Sequence, residues 1–116
     1  MQTANAGWDL PEELHHLAQA GGQKVIEDVI GLFKKDVRER LQGLRQAVAT
    51  GDLAAASLQA HKIRVSAIQM GAYNLATTCK HMELDAAHQV TENLKRLVME
   101  AEGELRVLRK SMTRAG

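Results

Sequence analysis

Apolar residues recur along most of the chain at intervals of three and four positions, the spacing of one face of an α-helix. The clearest stretch runs from Gln23 to about Val48. Its apolar positions are Ile26, Ile30, Phe33, Val37, Leu41, Leu44 and Val48. One uninterrupted stripe predicts one long helix. Gly51 and Asp52 then predict a stop and a restart, because glycine suits the end of a helix and aspartate suits the N-terminal cap of the next one.

The same spacing predicts three more helices, over Leu53 to Met70, Tyr73 to about Ala87 and Thr91 to about Met112. Gly71 leaves almost no loop between the first two of these, so they should form a tight antiparallel hairpin. The predicted inward positions are Ala56, Ala60, Ile63, Ala67, Met70, Leu75, Cys79, Met82, Ala86, Leu94, Leu97, Ala101, Leu105, Leu108 and Met112.

The N-terminal residues differ from the rest, since residues 1–8 show no periodicity and are expected to be flexible. Asp9 and Pro11 then supply a helix cap and a pre-set backbone angle, and the short helix that they start ends at Gly21. We therefore expect a single all-α domain over residues 9–114. Its predicted architecture is an antiparallel up-down-up-down four-helix bundle with a short N-terminal lid helix.

Composition narrows the class of protein further. Only 3% of the 116 residues are aromatic and there is one proline, which disfavours a β-sandwich or barrel. A net charge of +1 excludes nucleic-acid binding driven by bulk positive charge. A lone cysteine, Cys79, excludes an internal disulfide and multi-cysteine metal cages. Since neither a membrane-length apolar stretch nor a secretory signal is visible, we expect a cytoplasmic protein.

One histidine lies where chemistry is possible. His61 follows the inward position Ala60, so its side chain should point outward beside the bundle seam. Arg64 is one helical turn away and Lys62 is adjacent, so two positive charges are close enough to hold an anion on the imidazole ring. The neighbouring ridge of the helix is apolar, at Leu58, Val65 and Ile68.

These residues carry a resemblance to a known family. The stretch from Ala60 to Ala72, continued by Leu75, Cys79 and Glu83, resembles the signature of histidine-containing phosphotransfer (HPt) domains. The resemblance implies a four-helix bundle with one exposed histidine. That histidine accepts a phosphoryl group from the aspartate of a response-regulator receiver domain and passes it on to another receiver.

The resemblance also implies a role for each site residue. His61 is the phosphoacceptor, which suits a neutral imidazole nucleophile. Arg64 stabilises the phosphoryl charge, with Lys62 as a second cation, and Glu83 orients the imidazole by accepting a hydrogen bond. The expected docking surface consists of Leu58, Val65, Ile68 and Gln69.

The implied partners are receiver domains and hybrid sensor kinases, and the protein itself is expected to be a monomer. Mg²⁺ is expected on the receiver, so no cofactor or metal is expected in this chain, and neither nucleic acid nor a membrane is an expected partner. No glycine-rich loop for a nucleotide is visible, so the chain should be a phosphoryl carrier without ATP-dependent kinase activity. Cys79 is expected to be a buried apolar residue.

Two departures from the family pattern leave alternatives open. Arg64 stands where the family usually has lysine, and Val65 stands where it usually has glycine. The second departure allows a degenerate adaptor that binds receivers without carrying phosphate. A structural bundle subunit with the apolar ridge as a permanent interface is a third possibility, and the ridge could also lie under the short first helix as extra core. Taken alone, His61, Arg64 and Glu83 could be ordinary solvated residues.

Overall fold

The computed structural model describes residues 8–115, with side chains as far as residue 113. These residues form five helices and no strand, which confirms the all-α prediction. The helices are α1 (Glu12–Gln19), α2 (Gln23–Thr50), α3 (Leu53–Gln69), α4 (Tyr73–Ala87) and α5 (Leu94–Ala115). The long helices pack in a ring, α2 on α3, α3 on α4, α4 on α5 and α5 on α2, while α1 packs on α2. In the part of the chain described, no helix combines the length and apolarity that a membrane span requires.

The apolar stripes of the four long helices form the core. Every inward position predicted on α3, α4 and α5 is buried, and so are those on α2 as far as Leu44. Beyond that point the prediction is wrong, because Ala47 is buried while Val48 is only partly buried. An α-helix turns once in 3.6 residues, so the two consecutive four-residue spacings from Phe33 to Leu41 rotate the line of apolar residues away from the inner face. The three-residue spacings that follow, to Leu44 and Ala47, rotate it back.

The connections on either side of α3 follow the expected glycine and aspartate signals. Gly51 ends α2 in the left-handed conformation with φ of 76°. Asp52 caps α3, where its Oδ1 accepts a hydrogen bond from the Ala55 backbone N–H at 3.1 Å. Gly71, with φ of 74°, makes the turn between α3 and α4. A side chain would be strained at either glycine, so the two short connections depend on its absence.

Two helix starts differ from the prediction. Asp9 does not cap α1, because its Oδ1 accepts from the adjacent Leu10 N–H at 3.2 Å and α1 begins after Pro11 without a side-chain cap. The last helix starts at Leu94 instead of Thr91, which lies in a turn. The Thr91 carbonyl accepts from the Leu94 N–H at 3.2 Å, so the polar residues before α5 are used in a connection.

The prediction of a flexible N-terminus is wrong for its last residue, while residues 1–7 lie outside the described part. Trp8 is buried, and its indole N–H donates to the Met70 carbonyl at 2.9 Å. A buried indole needs such an acceptor, and the C-terminal end of α3 provides a free carbonyl. The first described residue is therefore fixed to the end of α3. The domain boundary of residues 9–114 stays a prediction.

Candidate functional site

The site lies where α3 and α4 face each other. The inner face of α3 carries small side chains at Ala56, Ala60 and Ala67, each at most 1% exposed, and small residues let packed helices approach closely. The three-residue connection between the helices brings Glu83 of α4 opposite the middle of α3. The Ser57 hydroxyl donates to the Glu83 backbone carbonyl at 3.4 Å, which adds a polar contact between the two helices.

Three of the predicted site residues meet at this point. Glu83 Oε2 lies 2.9 Å from His61 Nδ1, and Glu83 Oε1 accepts from Arg64 Nε at 2.7 Å. Arg64 Nη2 lies 3.0 Å from the same His61 Nδ1. The exposed fractions of the side chains are 47% for His61, 26% for Arg64 and 24% for Glu83. The imidazole is thus open to solvent, while the two charged residues behind it are largely covered.

The charges in this cluster stabilise one another. The hydrogen bond from Arg64 lowers the pKa of Glu83, with a further contribution from His61, although burial opposes both. The same hydrogen bond raises the pKa of Arg64. Glu83 therefore stays ionised at neutral pH and remains an acceptor for the imidazole.

The two contacts at His61 Nδ1 cannot both be full hydrogen bonds in one state. This nitrogen carries either a proton or a single in-plane lone pair in a neutral ring, so it either donates to Glu83 or accepts from Arg64. A carboxylate oxygen only accepts, so an unprotonated Nδ1 at 2.9 Å from Glu83 Oε2 would place two lone pairs against each other, whereas Arg64 stays bound to Glu83 through Nε in either state. Donation to Glu83 is therefore favoured, and it leaves the lone pair on Nε2.

The remaining predicted site residues are exposed. Lys62 is exposed, and it forms no ion pair with the acids of the described chain. The exposed fractions of Leu58, Val65 and Ile68 are 52%, 40% and 46%, and Gln69 is also exposed. The alternative that the apolar ridge forms extra core under α1 is therefore wrong.

An open groove of about 560 Å³ lies next to His61 and was not expected from the sequence. It runs between the start of α3 and the end of α4, and small residues line much of it. They are Ala54, Ser57, Ala86 and Ala87. Ser57 lies one turn before His61, so the α3 side of the groove could have been predicted from helical spacing. The α4 side depends on how α4 packs against α3 and could not be predicted in this way.

Cys79 lies behind the site, in the core, as expected. It is fully buried, and burial raises the pKa of its thiol to about 12, with smaller contributions from Glu104 and Glu83. A thiol in this environment is not a nucleophile at neutral pH. Among residues 8–115, no group of His, Cys, Asp or Glu side chains is arranged to hold a metal ion.

Comparison with known proteins decides the family. The family model of the Hpt domain matches residues 28–115, which include all of the site described above. The chain belongs to the Hpt domain family. Members of this family are phosphocarriers that work with receiver domains in two-component signalling and are not kinases, so this Hpt domain is a phosphotransfer component of such a system.

A solved structure supports the assignment. The Hpt domain described here is similar to histidine-containing phosphotransfer protein B (HptB) from Pseudomonas aeruginosa PAO1, known from a crystal structure, with a TM-score of 0.81 and 25% sequence identity. The match covers 91% of this chain and 92% of that protein. A search of curated proteins returned no match.

Proposed function

We propose that this protein is a phosphorelay intermediate in which His61 accepts a phosphoryl group from the aspartate of a receiver domain and passes it to another receiver. The observation that carries the proposal is the state of the imidazole ring. His61 is half exposed, while its Nδ1 lies 2.9 Å from a carboxylate. The ring is therefore oriented by one nitrogen and open to a partner through the other.

The proposed step breaks one bond and forms another. The Nε2 lone pair of His61 attacks the phosphorus, and the P–O bond to the partner's aspartate breaks, which returns that residue to its carboxylate form. The new N–P bond leaves a positive charge on the ring, since Nδ1 keeps its proton. The Glu83 carboxylate accepts a hydrogen bond from this N–H and stabilises the charge. Carboxylates that hydrogen-bond to the second ring nitrogen of a metal-binding histidine act in the same way.

Two cations are proposed to stabilise the phosphoryl oxygens. Arg64 is the main one: its Nη2 lies 3.0 Å from His61 Nδ1, and the free end of the guanidinium must turn toward the phosphoryl group on Nε2. The fork shape of a guanidinium allows it to bind two acceptors at once. Lys62 is a second cation, and its exposed side chain is free to move toward the phosphoryl group.

The proposed partners are receiver domains and hybrid sensor kinases. We propose that they dock on the exposed surface formed by Leu58, Val65, Ile68 and Gln69, and that the receiver supplies the Mg²⁺ for transfer. This chain then contributes only the histidine and its charged neighbours, and it acts as a monomer in the cytoplasm.

Transfer of radiolabelled phosphate from phosphorylated receivers tests the proposal. The wild-type protein should acquire an acid-labile label, and H61Q should acquire none. H81Q is the matched control, because His81 is an exposed histidine on α4, outside the cluster, and it should be labelled like the wild type. A label that persists in H61Q would overturn the assignment of the phosphoacceptor.

One observation favours the adaptor as a second candidate function. Val65 is 40% exposed and lies one helical turn beyond His61, so its isopropyl group occupies space that an approaching receiver would need. If the wild type binds a receiver without acquiring label and V65G does acquire it, the protein is an adaptor. Label on the wild type excludes this alternative.

We also propose that the four long helices run up-down-up-down. Two- and three-residue connections join α2 to α3 and α3 to α4, and such short links favour antiparallel neighbours. Contacts between α3 and α4 support an antiparallel arrangement of these two helices. Ser57 lies in the first half of α3 and Glu83 in the second half of α4, and both Ser57 and His61 contact Glu83. The short α1 lies beside α2 and, with Trp8, covers one end.

A further inference from the structure

A cavity of about 540 Å³ lies on the other side of α4, between the start of that helix and the middle of α5. It shares no lining residue with the groove next to His61. Trp8, Leu75 and Leu108 are buried residues that line it, Tyr73 lies at its exposed edge, and Glu100 and Glu104 supply the charged groups. Phosphoryl transfer at His61 makes no use of this cavity.

The Glu104 carboxylate is only partly satisfied. Its Oε2 accepts from the buried Thr78 hydroxyl at 3.0 Å. Its Oε1 is buried and has no hydrogen-bond partner among the described residues. Thr78 cannot supply a second hydrogen bond, because a hydroxyl has one proton and Glu100 Oε1 competes for it at 3.4 Å.

Glu104 also lacks a cation. Glu100, on the preceding turn of α5, pairs with Arg96 at 3.3 Å, whereas Glu104 forms no ion pair within the described part of the chain. Burial raises the pKa of Glu104, and repulsion from Glu100 raises it further, against the effect of Thr78. A partly buried carboxylate without a cation costs free energy, so Glu104, which lines the cavity, favours a cation that enters it.

We propose that the cavity binds a small organic ammonium ion whose charged group pairs with Glu104 and whose apolar body packs against Trp8, Leu75 and Leu108. The volume is within the range of about 300–1,000 Å³ typical of small-molecule sites. The Trp8 indole is held in place by its hydrogen bond to Met70, and an aromatic wall suits both the apolar body and the positive charge of such a ligand.

Titration of the full-length ¹⁵N-labelled protein with 2-phenylethylammonium, followed by NMR, tests this site. Saturable shifts are expected at the Trp8 indole and at the Leu75 and Gly103 amides. The uncharged analogue 2-phenylethanol should bind at least about tenfold more weakly, since it lacks the charge. Equal affinity for the two compounds, or no saturable shift at these positions, would overturn the proposal, and this comparison needs no variant.

A pair of variants identifies the carboxylate that carries the affinity. E104Q should weaken binding of 2-phenylethylammonium by about tenfold or more. E102Q is the matched control, because Glu102 is a neighbouring acid on α5 that pairs with Arg45, away from the cavity, and its affinity should equal that of the wild type. Unchanged affinity in E104Q would refute the role of Glu104.

Discussion

Glu83 and Glu104 are two carboxylates that both raise the pKa of the Cys79 thiol, and they differ in what surrounds them. Glu83, between α3 and α4, is paired with Arg64, and its pKa is lowered. Among the described residues, Glu104, between α4 and α5, receives a hydrogen bond from the Thr78 hydroxyl alone, and its pKa is raised. Burial raises the pKa of both groups, but the hydrogen bond from Arg64 outweighs it at Glu83, whereas the hydrogen bond from Thr78 does not outweigh burial and repulsion from Glu100 at Glu104.

The difference bears on what each carboxylate can do. In the proposed function, Glu83 must be ionised to accept a hydrogen bond from an imidazole that becomes positively charged, and Arg64 keeps Glu83 ionised. Within the described chain, no cation offsets the free-energy cost of partly burying the Glu104 charge. A proton or a positively charged ligand therefore stabilises this carboxylate.

Labelling of the Cys79 thiol reports on both carboxylates through the stability of the core. The thiol is fully buried and burial raises its pKa to about 12, so a disulfide reagent can attack it only after the core opens, and labelling of the native protein at pH 8 should be at least about a thousandfold slower than that of the unfolded chain. E83Q should speed labelling and E104Q should slow it, because the first change destabilises the fold and the second stabilises it. Equal labelling rates in native and urea-unfolded protein would contradict the burial of the thiol.

Removal of Glu83 should impair phosphotransfer. In E83A the imidazole loses the acceptor on its Nδ1, and Arg64 loses its ion pair, so the rate of label transfer from a receiver should fall by about 10- to 100-fold. Single-turnover labelling measures this rate. E92A, at an exposed acid before α5, is the control and should transfer like the wild type. A wild-type rate in E83A would show that the carboxylate does not orient His61.

Removal of the Thr78 hydroxyl, the one donor to Glu104 among the described residues, should destabilise the fold. T78V retains the shape of the buried side chain but leaves the Oε2 atom of Glu104 without a hydrogen bond, at a cost of about 1–3 kcal/mol in the free energy of unfolding. Urea denaturation followed by circular dichroism measures this value. In the E104Q background the same change should cost less, because no charge is then left unsatisfied. Equal costs in both backgrounds would exclude a charged Glu104.

Neutralisation of the two carboxylates should have opposite effects on stability. At pH 7, E104Q should raise the free energy of unfolding by up to about 1 kcal/mol, while E83Q should lower it by a similar amount. The raised pKa of Glu104 means that its ionised form destabilises the folded state, so the gain in E104Q should vanish as the pH falls from 7 toward 4. The loss in E83Q should persist to lower pH, since the stabilisation disappears only as the pH falls through the lowered pKa of Glu83. Urea denaturation at several pH values gives both curves, and slopes of the same sign would contradict the contrast.

The fold and the position of the site were largely predictable from local signals. The register of α3 and α4 follows from Asp52, Gly71 and the periodic apolar positions, and the outward direction of His61 follows from its place after Ala60. These features depend on neighbours within a few residues, so they can be derived from one sequence. The resemblance to HPt domains added the expectation that Glu83 faces the histidine.

Other contacts between helices were beyond prediction. The pairing of Arg64 with Glu83 depends on side-chain rotamers and on the distance between α3 and α4, neither of which appears in the sequence. The burial of Trp8 depends on the space left at the end of α3, and the late start of α5 depends on how its preceding turn packs. Each of these features joins residues that are distant in sequence or lie outside a periodic stripe.

The attachment of Trp8 to Met70 gives the protein an internal optical probe. Trp8 is the single tryptophan of the chain, so the emission of the native protein reports on how the segment before α1 is attached at the turn between α3 and α4. Fluorescence and circular dichroism therefore follow different parts of the molecule during unfolding. Coincident curves would mean that the N-terminal attachment and the helices are lost in one cooperative step, and an earlier fluorescence change would mean that the segment detaches first.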